Sequence, residues 1–327
     1  MVTMKYIKLS APTSNLFTFP TFDTPIAPCP IDKEWVKQLY YWSLDPKTPI
    51  TIALVYFVSV HLINNMVIKR QIKKYQTSEK NNNNNNNNKN HDSIYKSNGE
   101  INIKKLPSAP LSFSLKWYFK FFVLFHNIFL CGYSIWTFVT MLDLIHLDYH
   151  QFFYNVCSNE IFLKAHYNLT YLGWLFYLSK FYEIIDTLII LIKGRPSSLL
   201  QSYHHAGAMM CMWSGIRYQA SPIWIFVLFN SFIHSLMYGY FTVSCLKIKV
   251  PIIVKRVLTT LQICQFVIGG SLALFHSMLQ YYNDDWIDCI HNGDQALPLL
   301  INVGYLAPLT MLFAKFYIES YLKRKII

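Results

Sequence analysis

The chain has 327 residues, of which 53% are hydrophobic, 17% aromatic and only 14% charged. An ordinary soluble protein carries about 25% charged residues, so this composition argues against a soluble globular enzyme. What charge remains is lopsided, 29 Lys+Arg against 17 Asp+Glu for a formal net charge of +12. It lies in gaps between long apolar runs and not over a charged surface of the kind that binds nucleic acid. These numbers point to a polytopic membrane protein. The seven cysteines form no CxxC pair and no tight zinc spacing, which indicates neither a disulfide scaffold nor a zinc module.

In the N-terminal segment 1–48, residues 1–23 contain no continuous apolar stretch of signal-peptide type, so insertion is expected to rely on the first membrane span. Apolar runs of the ~20 residues that a membrane helix needs occupy 49–68, 117–142, 167–192, 198–216, 222–246, 252–278 and 296–320. Their β-branched residues look strand-like locally, but a membrane strand is only about 9–11 residues long, and length decides for helix. The predicted fold is all-α with seven spans.

Basic residues mark the cytosolic side of a membrane protein. Lys69, Arg70, Lys73 and Lys74 follow the first span, Lys193 and Arg195 the third. Lys247, Lys249, Lys255 and Arg256 separate the fifth and sixth, and Lys323, Arg324 and Lys325 end the chain. The opposite loops hold Asp143, Asp148, Glu160, Lys164, Arg217, Asp284, Asp285, Asp288 and Asp294. The alternation predicts a lumenal N-terminus and a cytosolic C-terminus. Residues 69–112, with the run NNNNNNNNKN, read as a disordered cytosolic loop because such a composition buries no core. The 321–327 tail, YLKRKII, resembles a dilysine signal that retrieves membrane proteins to the endoplasmic reticulum.

Ionisable groups at bilayer depth cost about 2.5–3.5 kcal/mol each on insertion scales, which makes them functional candidates. In the third span, SKFYEIIDT sets Lys180, Glu183 and Thr187 along one helix face with Asp186 beside them. A buried ion pair that only fixes packing is the plainer reading of that stretch. The fourth span opens LLQSYHHAG, where Gln201 is placed to orient His204 or His205. In the fifth, NSFIHSLMYGY aligns Asn230, His234 and Tyr238 at intervals of four, with Met237 alongside. In the sixth, TTLQICQF spaces Thr259, Gln262 and Gln265 by threes. Four consecutive spans thus carry polar stripes that must face away from lipid. They describe a polar chamber in the cytosolic half of a bundle, with apolar walls beyond it that suit an acyl chain.

These four strings together resemble the ELO family of very-long-chain fatty acid elongases, through KxxExxDT at 180–187, NxxxHxxMYxY at 230–240, TxxQxxQ at 259–265 and a histidine box at 201–205. The box, usually HxxHH, reads QSYHH here, with Gln201 in place of the first histidine. The likeness covers about residues 49–325 apart from the Asn-rich stretch. It implies seven helices, six of which enclose an acyl tunnel. It also implies condensation of acyl-CoA with malonyl-CoA to 3-ketoacyl-CoA, CO2 and CoA, the rate-setting first step of two-carbon elongation. No bound cofactor or metal is implied. The partners are the two CoA substrates, membrane lipid and the reductases and dehydratase that complete the cycle, in the endoplasmic reticulum membrane; an oligomer is left open and nucleic acid is not expected. By the same likeness His204 is the acyl-accepting nucleophile, and His205 and His234 handle protons or the enolate. Asn230, Tyr238, Gln262, Gln265, Lys180, Glu183, Asp186 and Gln201 support them. The CoA phosphates would meet Lys193, Arg195, Lys247, Lys249, Lys255 and Arg256, although positive-inside topology alone accounts for those six.

Two other classes compete. HLDYH (His146 and His150) with QSYHH reads as a damaged set of di-iron boxes of a desaturase or hydroxylase, since imidazole suits iron. Topology, however, puts His146 and His150 across the membrane from His204. A seven-helix receptor or transporter would use the buried charges as a ligand or proton path, and would consume no malonyl-CoA. Cys211, two turns after His204, is a competing nucleophile that also reads as a small core residue. Cys157 and Cys289 both fall in lumenal loops, an oxidising compartment, and are expected to form a disulfide.

Overall fold

The computed structural model describes residues 6–84, 102–153, 156–157, 162 and 169–322. Ten α-helices are found among them: α1 (Glu34–Leu44), α2 (Lys47–Asn84), α3 (Trp117–Leu147), α4 (Tyr149–Phe153), α5 (Leu169–Tyr182), α6 (Ile184–Ile192), α7 (Leu199–Arg217), α8 (Ile223–Cys245), α9 (Ile252–His276) and α10 (Gly293–Tyr317). The one sheet among the described residues is small. It orders β1 (Ile7–Leu9), β2 (Leu279–Asn283) and β3 (Asp285–Asp288), with Ile7 opposite Tyr281 and Tyr282 opposite Trp286, both pairings antiparallel. The β2–β3 hairpin turns at Asp284, whose φ of 63° is one that Asp tolerates better than most residues. The N-terminal segment is thereby stitched to the loop between α9 and α10.

Among the described residues, α2, α3, α8, α9 and α10 are long and apolar enough to cross a membrane, as expected of a multi-pass membrane protein. The two further spans read from the sequence are present as helix but fall short on that measure. The third is divided into α5 and α6, of 14 and 9 residues. The fourth, α7, has its apolar character diluted by Gln201, His204 and His205.

Helix packing closes a ring. It runs from α3 to α8, α9, α10, α7 and α5, and returns to α3, with α2 outside it against α7 and α6. The core between α1, α5 and α7 is built on aromatic residues. The buried hydroxyl of Tyr40 has no hydrogen-bond partner among the described residues, whereas the polar ends of Trp174, Tyr177 and Trp213 reach the end of α1. Trp174 Nε1 donates to Ser43 Oγ (3.0 Å), Tyr177 OH to the Ser43 carbonyl (2.8 Å) and Trp213 Nε1 to the Leu44 carbonyl (2.9 Å). The last two donors satisfy the Ser43 and Leu44 carbonyls at the end of α1, which a helix end otherwise leaves unpaired.

The stretch read as a loop from residue 69 is corrected by the structure. Helix α2 continues through it to Asn84, because residues 69–80 are rich in Lys, Arg, Gln and Glu, good helix formers, and contain neither Gly nor Pro. Its far side is also ordered. Ala109 N donates to the Gly194 carbonyl and Leu111 N to the Ile192 carbonyl (both 3.1 Å), while Gln71 Nε2 donates to the Gly194 carbonyl (3.1 Å). Gly194 adopts a φ of 71°, and a side chain there would collide with the Ala109 backbone. Residues 85–101, with most of the Asn run, and 323–327, with the dilysine-like tail, lie outside the described residues, as do Glu160 and Lys164.

Candidate active site

The break between α5 and α6 falls at Glu183. Its amide still bonds to the Ser179 carbonyl (2.9 Å), but the next turn tightens, with Asp186 N bonding to the Glu183 carbonyl (3.1 Å). Lys180 and Glu183 are both buried, and Lys180 Nζ lies 2.7 Å from Glu183 Oε1 and 3.0 Å from Asn230 Oδ1. The ammonium also sits 3.9 Å from the centre of the Phe176 ring. One opposite charge, an amide oxygen and an aromatic face therefore replace the water that Lys180 gave up, which is the condition for tolerating a buried cation. His234 Nδ1 stands 3.6 Å from Glu183 Oε1, within ion-pair reach but longer than a hydrogen bond.

Asp186, on the first turn of α6, looks the other way. Tyr238 OH donates to its Oδ2 (2.6 Å) and His126 Nε2 lies 2.8 Å from its Oδ1. Thr187, fully buried, exchanges a hydrogen bond with Tyr56 OH on α2 (2.8 Å). The KFYEIIDT string thus supplies two separate polar clusters and ties the outer helix α2 to the ring.

Three histidines gather beside the first cluster. The ring centres of His204 and His205 are 5.3 Å apart, and those of His204 and His234 are 6.2 Å apart. His205 and His234 are buried, whereas His204 is partly accessible. Gln201 Nε2 lies 2.8 Å from His205 Nε2, one helical turn along. With the amide donating, His205 is neutral and carries its own proton on Nδ1. The glutamine in the box therefore meets His205, not His204. His204 Nδ1 is met instead by Tyr305 OH of α10, at 2.8 Å.

A cavity begins at Asn230, Gln265 and Cys211 and continues between α7, α8, α9 and α10 to the Cys157–Cys289 disulfide. Gln265, Gly269, Ala273 and His276 line it at helical spacing from α9. Phe226, Leu299 and Leu306 are among its apolar walls. Gln265 Oε1 and Asn302 Oδ1 have no hydrogen-bond partner among the described residues and stand in its wall. The arrangement is a mainly apolar slot that adjoins the Lys180–Glu183 and histidine cluster through Asn230, which lines the slot and accepts from Lys180.

The sequence-selected residues divide on this geometry. Lys180, Glu183, Asn230, His204, His205, His234 and Gln201 come together, and Gln265 joins the cavity. Asp186 and Tyr238 form the neighbouring cluster with His126. Gln262 contacts Met237 Sδ (3.6 Å), and Thr259 lies toward Tyr321. Lys193, Arg195, Lys247, Lys249 and Lys255 are exposed at the ends of α6, α8 and α9, while Arg256 Nε donates to Tyr317 OH (2.7 Å). Cys211 is buried in the slot, its Sγ 3.9 Å from the Ile301 carbonyl. His146 and His150 lie at the opposite end of α3 from Phe119 and Val123, which pack against α6 near Ile189. That placement separates them from the histidine box. Among the described residues, no three His, Cys, Asp or Glu side chains are grouped as a metal site.

Sequence reasoning missed His126 and Tyr305. A buried histidine in an apolar span was a signal for the first. For the second there was none, because an aromatic residue in a membrane helix reads as packing.

A family profile described as ELO: GNS1/SUR4 family matches residues 41–326. The chain is 27% identical over 185 residues to a very long chain fatty acid elongase 6 of Drosophila melanogaster (56% of this chain, 57% of the relative). It is 29% identical over 154 residues to a long chain fatty acid elongase 1 of Caenorhabditis elegans (47% and 52%). It is 28% identical over 207 residues to a fatty acid elongase A of Dictyostelium discoideum (62% and 73%). The chain spans about half the length of the first two relatives. No solved structure matches it. With a family match over residues 41–326, nearly its whole length, the chain belongs to the ELO (GNS1/SUR4) family of fatty acid elongases.

Proposed function

We propose that the protein is a 3-ketoacyl-CoA synthase that condenses a long-chain acyl-CoA with malonyl-CoA. The observation that carries this reading is the gathering of three histidines beside the Lys180–Glu183 pair, whose hydrogen-bond partner Asn230 also lines a mainly apolar slot. The acyl tail occupies the slot and its thioester reaches His204. His204 Nε2 attacks the thioester carbonyl, the C–S bond breaks, and CoA leaves as a thiolate that takes up a proton. The acyl-imidazole keeps the activation of the thioester and divides one hard step into two. Malonyl-CoA then loses CO2, and the electron pair of the broken C–C bond passes into an enolate. That carbon attacks the acyl carbonyl, and the C–N bond breaks back to neutral His204. The sum is acyl-CoA plus malonyl-CoA plus a proton to 3-ketoacyl-CoA, CoA and CO2.

The other groups take the roles their contacts permit. The ammonium of Lys180, held by Glu183, supplies positive potential where the enolate forms, Asn230 adds an oriented amide, and His234 stands beside Glu183 to handle protons. Gln201 holds the ring of His205. The exposed basic ends of α6, α8 and α9 face the CoA phosphates. The membrane arrangement that suits this chemistry has α5–α6 as one span and α7 as another. That makes seven spans with a lumenal N-terminus and a cytosolic C-terminus, in the endoplasmic reticulum membrane. The ketoacyl reductase, dehydratase and enoyl reductase that finish the cycle are the natural partners.

The test is incorporation of label from malonyl-CoA into acyl products by membranes bearing the protein, across a panel of acyl-CoA primers. Wild-type protein is expected to incorporate label and His204→Ala to lose it. Equal incorporation by both would refute the role of His204, and none with any primer would refute the activity.

A further inference from the structure

Tyr305 belongs to no motif and stands in the apolar run of α10, yet its hydroxyl meets His204 twice. It lies 2.8 Å from His204 Nδ1 and 3.1 Å from the His204 carbonyl oxygen. A phenol has one proton, and a carbonyl only accepts. One arrangement alone satisfies both contacts: the phenol donates to the carbonyl and accepts from Nδ1–H. His204 is then the Nδ1–H tautomer, and its Nε2 lone pair is free.

The ring of Tyr305 is held on several sides. It stacks on Tyr203 at 5.8 Å between centres, and Tyr203 OH reaches back to the Gly304 and Tyr305 carbonyls (3.3 and 3.4 Å). Gly207, one turn beyond His204 on α7, faces it directly, and a methyl group there would collide with the Tyr305 ring. A side chain at 207 would displace the phenol from His204.

We propose that Tyr305 is a positioning residue that fixes the Nδ1–H tautomer of His204 and leaves Nε2 unprotonated toward the substrate, and that Gly207 is the space that admits it. This rests on the reading of His204 as the acyl-accepting nucleophile. A histidine's reactive nitrogen is set by the hydrogen bond at the other one, and serine proteases lose about 10⁴ in kcat when the wrong tautomer is imposed. A neutral phenol constrains the ring less than a carboxylate does. The expected loss is therefore nearer the 10- to 100-fold typical of partners that orient a histidine from behind.

The test combines two readouts on the full-length protein in detergent. The first is single-turnover acylation by palmitoyl-CoA without malonyl-CoA, followed as CoA release and as added mass on the intact chain. The second is the tautomer of His204 from ¹⁵N-histidine spectra, its signal assigned by its loss in His204→Gln. Tyr305→Phe is expected to slow acylation by about 10- to 100-fold with half-saturating primer unchanged, and to lose the Nδ1–H signature. Gly207→Ala, which keeps the hydroxyl but displaces the ring, is expected to reproduce both effects. Acylation within twofold of wild type in Tyr305→Phe, or an unchanged tautomer, would overturn the proposal. If wild-type protein forms no acyl adduct, the covalent reading of the reaction fails, and the tautomer comparison still decides the role of Tyr305. If Tyr305→Phe does not fold, Gly207→Ala and the wild-type spectrum decide it, a wild-type Nε2–H tautomer being fatal.

Discussion

Lys180 Nζ and Glu183 Oε1 are 2.7 Å apart across the point where α5 gives way to α6, both side chains buried. The pair is therefore both a charge source for the site and a fastener at a helix break. Losing one partner strands the other in a low-dielectric interior, at about 3–5 kcal/mol. Glu183→Gln is expected to lower the unfolding temperature markedly and abolish turnover. The double variant Lys180→Met/Glu183→Leu is expected to regain most of the stability and none of the activity. Thermal unfolding in detergent alongside malonyl-CoA incorporation separates the two, and an active double variant would show that the pair is only structural.

Gln201 meets His205 through its amide, so shape and hydrogen bonding at this position matter more than basicity. Gln201→His, which restores the usual box, is expected to keep turnover near wild type. Gln201→Leu removes the donor and is expected to lose about tenfold, as for other partners that orient histidines. A fully active Gln201→Leu would show that this contact is idle.

His126 and Tyr238 bracket Asp186 from two helices. A hydrogen bond to a charged group contributes about 1.5–3 kcal/mol, and His126→Phe is expected to cost stability in that range. Its unfolding temperature, compared with that of Tyr238→Phe and of the double variant, would show whether the two bonds are coupled through the shared carboxylate. Strict additivity would mean that they are not.

Gly269 lines the slot from α9, and a Cβ built there meets nothing within 4 Å. Gly269→Leu is expected to fill the slot partway along and shift products toward shorter chains without loss of total condensation on the shortest accepted primer. Chromatography of the products reads this directly. An unchanged chain-length profile would place the acyl tail elsewhere.

The Cys157–Cys289 disulfide closes the far end of the same slot and joins residues 132 apart in sequence. Cross-links over loops of this size contribute about 2–5 kcal/mol. Cys289→Ser is expected to lower the unfolding temperature and to make it insensitive to reductant, whereas the wild type responds. Equal sensitivity in the two proteins would rule the cross-link out.

Local relationships in this protein could be read from the chain, and tertiary ones could not. Lys180 and Glu183 are three residues apart on a helix, so their pairing is dictated by helix geometry whatever surrounds them. The same holds for Gln201 and His205, four apart. The Cys157–Cys289 pairing followed from both cysteines being assigned to one oxidising side. By contrast Asp186 is paired across helices with His126, and His204 with Tyr305, and no periodicity in either segment announces its partner. The division of the third span at Glu183 was hidden for a related reason: no Gly or Pro marks it, and the change is one tightened turn among the motif residues. The extension of α2 beyond residue 68 is present in the chain as Lys, Arg, Gln and Glu without a breaker. The Asn-rich composition that follows drew the boundary too early.

The backbone clamp around Gly194 has a consequence for the Asn-rich insertion. Lys74 Nζ donates to the Ser108 carbonyl (2.8 Å), and Ala109 and Leu111 are bonded to the end of α6. The chain therefore leaves the helical bundle and re-enters it at two neighbouring points, each fixed independently of what lies between. A change in the number of asparagines in the run would begin and end between those same anchors, leaving α6 and the part of α2 before Asn81 undisturbed. Copy-number variation in the codons of that tract would then be invisible to the chemistry of the histidine box, and the tract could lengthen or shrink as neutral variation.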